Sequence, residues 1–292
     1  MNNAVIWPAP EVGIEKIGIS LLAETPVTTD ETSPKPAASP KNPKAWISED
    51  PAWIFELKQH LDPYRHAVLN CRLIREASDG TLPLAQMRGW LLQLYPFIEC
   101  FPKWLALSLA RTQDPVSQAF LIDNLRVEKK HALQWIHMAE AFGVSEQELM
   151  EVKPLPGVEA LTHWLWSINS HGVLVEAVAA TNYSIEGVTQ GIAQSTVLGF
   201  PKYEGREGIH LSKKAYAWME AHARYDDLHP VYALEIIKRY SETQEMRERV
   251  KFAAQRSLEF MLMALEACYT HYSTGYGPTR VETQESSLRR CG

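Results

Sequence analysis

The sequence predicts an all-α protein, folded as a single bundle of seven or eight helices. Three observations carry this reading. Apolar residues recur at helical spacing through most of residues 47–272, no alternating run is bounded by hairpin turns, and no internal repeat divides the pattern. With 292 residues and 46% hydrophobic content, the chain can bury a large core.

The elements follow in order. Residues 1–46 carry prolines 8, 10, 26, 34, 36, 40 and 43 among Thr, Ser, Ala and Lys, and are expected to form a disordered proline-rich leader. Within it, Val12 to Leu22 is apolar enough to dock as a strand or turn. Trp53, Ile54, Leu57 and Leu61 begin the first helical pattern, which is expected to resume after Pro63. Thr81-Leu82-Pro83-Leu84 reads as a cap with an early proline, opening a helix to about Arg111. Asp114-Pro115 opens the next, predicted to end at Gly143. Pro154 and Pro156 bracket a break, after which residues 158 to about 191 give one or two apolar helices. Gly199 to Gly208 is expected to be a loop. Helices over Lys213 to about Leu228, Val231 to Tyr240 and Gln244 to Tyr272 complete the set, and residues 273–292 read as a flexible tail.

Charge and cysteine content narrow the function classes. Twenty-nine Lys and Arg against 35 Asp and Glu leave a net charge of -6, which offers no general attraction for nucleic acid or an anionic membrane. No stretch approaches the ~20 apolar residues of a membrane span, and the first residues lack the basic start and apolar block of a secretory signal. A soluble, cytoplasmic protein is expected. Cys71, Cys100, Cys268 and Cys291 form no CxxC pair; the first three read as small buried hydrophobes and the last as exposed.

The most informative segment is Ala221-His222-Ala223-Arg224-Tyr225-Asp226-Asp227-Leu228-His229. At ~100° per residue, His222, Asp226 and His229 (i, i+4, i+7) fall on one stripe of a helix. Two imidazoles and a carboxylate suit a transition metal of the iron type. The competing account is a helix surface with two ordinary histidines. Pro230 is expected to end this helix, placing His229 in its last turn, where a protonated imidazole is also favourable. A second pair, Glu128 and His131, has the i, i+3 spacing of Glu-x-x-His pairs in carboxylate-bridged bundles. Lys129 and Lys130 beside it favour a solvated neighbouring face, and His137 falls on the opposite side. The third element is Glu186. Residues 173–192 contain no Lys, Arg or Asp and one other acid, Glu176, the rival candidate. A carboxylate in so apolar a stretch is costly unless paired or bound to metal.

Together these residues resemble the haem-oxygenase-like di-iron oxidases and oxygenases, relatives of the TenA and PqqC proteins. The resemblance covers about residues 48–272. It rests on Glu128-x-x-His131 followed by an aliphatic helix to Gly143-Val144, on Glu186-Gly187, and on His222-x-x-x-Asp226-x-x-His229, the specific motif. It implies a haem-oxygenase-like helical fold holding two irons per chain rather than haem, with O2 as co-substrate. Glu128 or Glu186 would bridge the irons, Asp226 and His229 would help hold the second, and His222 would serve the first. The implied chemistry is hydrogen abstraction, N-oxygenation or oxidative C–C cleavage of a small amino-acid-like, amine or fatty-acid substrate. An external electron donor and a homodimer are compatible partners. One branch of that family is thought to consume a tyrosine of its own, and Tyr183 is the corresponding candidate; packing alone also accounts for it.

Other readings remain open. No cysteine matches the thiaminase nucleophile of TenA proteins. A haem would need an axial histidine on the first helix, where His60 and His66 are available, but would leave His222, Asp226 and His229 unexplained. Trp90, Tyr95, Phe97, Phe101, Trp104, Trp164 and Trp166 supply bulk for a substrate cavity or simply for a core, and Arg224 and Lys214 could meet a substrate carboxylate. A metal-free enzyme of the TenA or PqqC type and a non-catalytic interaction protein on the same fold are the alternatives.

Overall fold

The computed structural model describes residues 47–223 and 229–274. The leader with its Val12–Leu22 piece, most of the tail with Cys291, and residues 224–228 with Arg224 and Asp226 lie outside that description. Among the described residues there is no strand, and the all-α reading holds. Twelve α-helical segments occur among them. They are α1 (Ala52–Leu69), α2 (Arg72–Ser78), α3 (Leu84–Arg111), α4 (Pro115–Glu128), α5 (His131–Ala141) and α6 (Glu146–Glu151). Then come α7 (Pro156–His171), α8 (Leu174–Val178), α9 (Gly187–Thr196), α10 (Lys213–Ala223), α11 (His229–Tyr240) and α12 (Gln244–His271). An eight-residue π-helical segment, Ala179–Glu186, joins α8 to α9 without a break. The count exceeds eight because α2, α6 and α8 are connectors of seven, six and five residues, and because the helix expected from Asp114 to Gly143 is divided into α4 and α5.

Local chemistry explains where the boundaries depart from the periodicity. The first helix does not restart at Pro63; α1 runs through it, and the proline sits on an exposed face. The helix begun by Asp114 divides at Lys129 and Lys130 instead of reaching Gly143, so Glu128 closes α4 and His131 opens α5. Asp114 caps α4 as expected, its carboxylate accepting from the Ser117 N–H at 2.9 Å and the Ser117 hydroxyl at 2.7 Å. The short α6 is started by a reciprocal Ser145–Glu148 capping box. The loop over residues 199–208 contains two 3₁₀ turns, Phe200–Tyr203 and Arg206–Gly208.

The core lies between the two 28-residue helices α3 and α12 and the elements packed on them. The α12 helix packs on α7, the π segment and α1, while α5 is held between α3 and α10. Trp90, Trp104 and Trp135 are fully buried here, each worth about 1.5–3 kcal/mol or more by transfer. Polar ties fix the packing. The Trp135 indole N–H donates to the Leu91 carbonyl at 2.8 Å, and buried Gln93 donates to the Tyr272 hydroxyl while accepting from the Leu155 N–H. Gly89 allows α3 to meet the Tyr272 ring, since a Cβ there would lie 2.0 Å from it. No helix among the described residues is long and apolar enough to cross a membrane.

Candidate metal centre

Four of the six expected ligands line one small cavity between α3, α4, α5, the π segment and α10. Glu128, His131, Glu186 and His222 are all buried there, each between 3% and 6% exposed. One nitrogen or oxygen from each of Glu128, His131 and His222 lies within 4.8 Å of the others. The Lys129–Lys130 turn therefore does not separate the Glu-x-x-His pair. The pair spans a helix junction instead of one helix face, and the His131 Nδ1 stands 2.7 Å from Glu128 Oε2. Lys129 and Lys130 are both exposed, as expected, while Glu128 and His131 are buried.

His222 is placed by α10. Its Nδ1 is 2.8 Å from the Trp218 carbonyl one turn back, and its ring lies 4.1 Å from the Trp218 ring and 4.3 Å from the His131 ring. A carbonyl only accepts, so Nδ1 carries the proton and the lone pair of neutral His222 is on Nε2. Trp218 is itself held edge-on against Trp135 at 4.7 Å, which ties the ligand ring to the bundle core.

Glu186 ends the π segment and reaches the cavity beside this trio. Its Oε2 accepts from Asn124 Nδ2 at 3.0 Å and from Asn182 Nδ2 at 3.2 Å, and its Oε1 is 2.9 Å from His229 Nδ1. His229 is thus joined to the centre through Glu186. Pro230 does not end a helix there: residues 229–240 are helical, and His229 is the first described residue of α11. Proline's fixed φ is compatible with helix. Asp226 lies outside the described residues. The rival Glu176 serves elsewhere, accepting from Arg249 Nε and Nη2, each at 2.8 Å, and from the Val173 N–H at 2.9 Å.

The wall differs from the aromatic set expected. Phe97 and Phe101 line the cavity, together with Ile98, Thr189 and Trp218. Trp104 packs on Phe101 and Trp166, and Trp164 stacks near Phe252 and Phe260; these belong to the core. Lys214 is exposed and away from this wall. Asn124, Asn182 and Trp218 were not foreseen as site residues; the only sequence signal was an asparagine one turn before each carboxylate, Asn124 before Glu128 and Asn182 before Glu186. His60 is engaged by Gln255 at 2.7 Å and His66 is exposed. No cysteine among the described residues lines the cavity, and burial pushes the Cys71 and Cys268 thiols up, away from the thiolate form.

The donor set fits a first-row transition metal. Buried imidazoles and carboxylates converge, with His131 Nδ1 at 2.7 Å from Glu128 and His229 Nδ1 at 2.9 Å from Glu186.

The TENA/THI-4/PQQC family pattern matches residues 58–271. The chain belongs to the TENA/THI-4/PQQC family. Members of this family are enzymes. The pyrroloquinoline-quinone synthase of Xanthomonas oryzae pv. oryzae is 24% identical over 203 residues, covering 67% of this chain and 78% of its own length. A TenA homolog from Pseudomonas syringae pv. tomato is 28% identical with a TM-score of 0.71, and the match covers 77% of this chain and 98% of that one. A domain from Shewanella denitrificans described as having a heme oxygenase-like fold superposes with a TM-score of 0.63 at 21% identity, over 75% and 93% of the two chains. The haem-oxygenase-like bundle inferred for this TENA/THI-4/PQQC member is thereby established.

Proposed function

We propose that this TENA/THI-4/PQQC protein is a non-haem di-iron oxidoreductase that uses O2 on a small amino-acid-like, amine or fatty-acid substrate. The observation carrying this reading is the convergence of Glu128, His131 and His222 within 4.8 Å in a buried cavity that Glu186 also lines. Glu128, His131 and His222 would hold one iron. Glu186 and His229, with Asp226, would hold the other. Bound ferrous iron supplies the electrons and the open coordination positions that O2 chemistry requires.

The chain's own residues do the rest. Phe97, Ile98 and Phe101 exclude water on the α3 side, which strengthens electrostatic interactions within the cavity. Trp218 fixes the ring plane and the tautomer of His222. Asn124 and Asn182 donate to Glu186 without contributing charge, so the carboxylate stays available to a cation.

The test is anaerobic reconstitution with ferrous iron followed by metal analysis. About two irons per chain are expected, with His222→Ala losing most of the metal while the circular dichroism stays helical. Protein that takes up no iron would sink the proposal.

A metal-free enzyme of the TenA or PqqC type is favoured by one observation. Both Glu186 oxygens already have hydrogen-bond donors, so this carboxylate is satisfied without an ion. That reading expects turnover to be indifferent to chelators.

A further inference from the structure

Near the Glu186–His229 pair, an open groove runs between α1, the π segment and α11. Two polar side chains there, Arg65 and Tyr183, take no part in the proposed metal centre. The guanidinium of Arg65 lies 4.6 Å from the Tyr183 ring centre, and its Nη2 makes one long contact, 3.4 Å, to the Tyr183 carbonyl. Both Arg65 Nε and the Tyr183 hydroxyl are buried without a hydrogen-bond partner among the described residues, and Tyr183 is 4% exposed. Leaving such groups unmatched costs about 1–3 kcal/mol each, so the pair is built for an acceptor.

The other charges of the groove say which acceptor. Asp50 is held by Lys58 and Lys238, and Glu235 by Lys238 and the Ser48 hydroxyl. Arg65 makes no ion pair among the described residues. Glu49 and Asp62 stand exposed in the same lining, which disfavours a dianion. Phe55, Pro230, Val231 and Leu234 give the groove an apolar side.

We propose that Arg65 and Tyr183 form a binding site for a monocarboxylate with an apolar body, separate from the ligand cavity. The planar guanidinium and the phenol O–H donate to the carboxylate, and the body lies along Phe55, Val231 and Leu234. The proposal stands whether or not the cavity holds iron.

Calorimetric titration of the full chain, stripped of metal by a chelator, with hexanoate tests it. Saturable binding below about 10 mM is expected, weakened about tenfold or more by Arg65→Met and several-fold by Tyr183→Phe. Arg65→Lys, which keeps the charge and loses the fork, falls between wild type and Arg65→Met and guards against misfolding of the methionine variant. Hexylamine does not bind saturably, and hexyl phosphate binds more weakly than hexanoate. The site is overturned by absence of hexanoate binding, by binding that survives Arg65→Met unchanged, or by hexylamine or hexyl phosphate binding as well as hexanoate. Iron stoichiometry of Arg65→Met equal to wild type keeps this outcome apart from that of the metal reading.

Discussion

Glu176 and Glu186 are ten residues apart in one continuous helical run, both buried, and their surroundings could hardly differ more. Glu176 sits at the start of α8, gripped by two nitrogens of Arg249 and by the Val173 N–H. Its charge is cancelled and its job is structural. Glu186 sits at the end of the π segment among two amides and an imidazole, all neutral donors when His229 is deprotonated. Neutral donors stabilise a carboxylate's charge without using it up. The contrast separates a carboxylate paired with a cation of the protein from one that meets only amides and an imidazole, the carboxylate we propose as a metal ligand.

The sharpest way to break this comparison is to neutralise each carboxylate in turn. Glu186→Gln is expected to weaken iron binding by more than about 100-fold in a competition titration, whereas Glu176→Gln leaves it within about twofold. Equal effects would erase the distinction. Next in size, Arg249→Met strands Glu176 in the core and should lower unfolding stability by about 1–2 kcal/mol in urea titrations, with iron content unchanged. The loss stays modest because the Arg249 side chain is 42% exposed.

The smallest effect concerns α4, the helix that delivers Glu128. Burial alone would raise the Asp114 carboxyl, but the Ser117 hydroxyl and N–H outweigh it and hold Asp114 below its usual 3.8. A depressed folded-state pKa means the stabilisation is whole above pH 3.8 and fades as pH falls through the lower value. Asp114→Ala should therefore cost about 1 kcal/mol at neutral pH, with the difference from wild type shrinking in acid. A difference that grew in acid would contradict the cap.

Much of this was legible in the residues and some was not, for physical reasons. The isolation of Glu186 in an apolar stretch is a one-dimensional signal, and it led to a carboxylate that His229 contacts and that lines the same cavity as His222. The break between α4 and α5 left no trace, because Lys129 and Lys130 are good helix formers and nothing local demands a turn there. The run after Pro156 read as ordinary helix because a π segment has no propensity signature. Its conformation accompanies packing against α11 and α12. Asn124 and Asn182 matter through partners far along the chain or one turn away, and periodicity does not weigh hydrogen bonds. His229 was expected in a last turn because proline commonly ends a helix, but the helical residues continue through Pro230 to Tyr240.

The π segment also bears on how this chain is compared with its kin. Its hydrogen bonds skip one residue more than those of an α-helix, so eight residues there advance the helix face less than eight residues elsewhere. A family member with plain α-helix in this place would bring a different position to the cavity for the same count of letters. Between such proteins, the equivalent of Glu186 has to be found by which donors surround it, and a gap-free alignment through Ala179–Glu186 would pair it with the wrong neighbour.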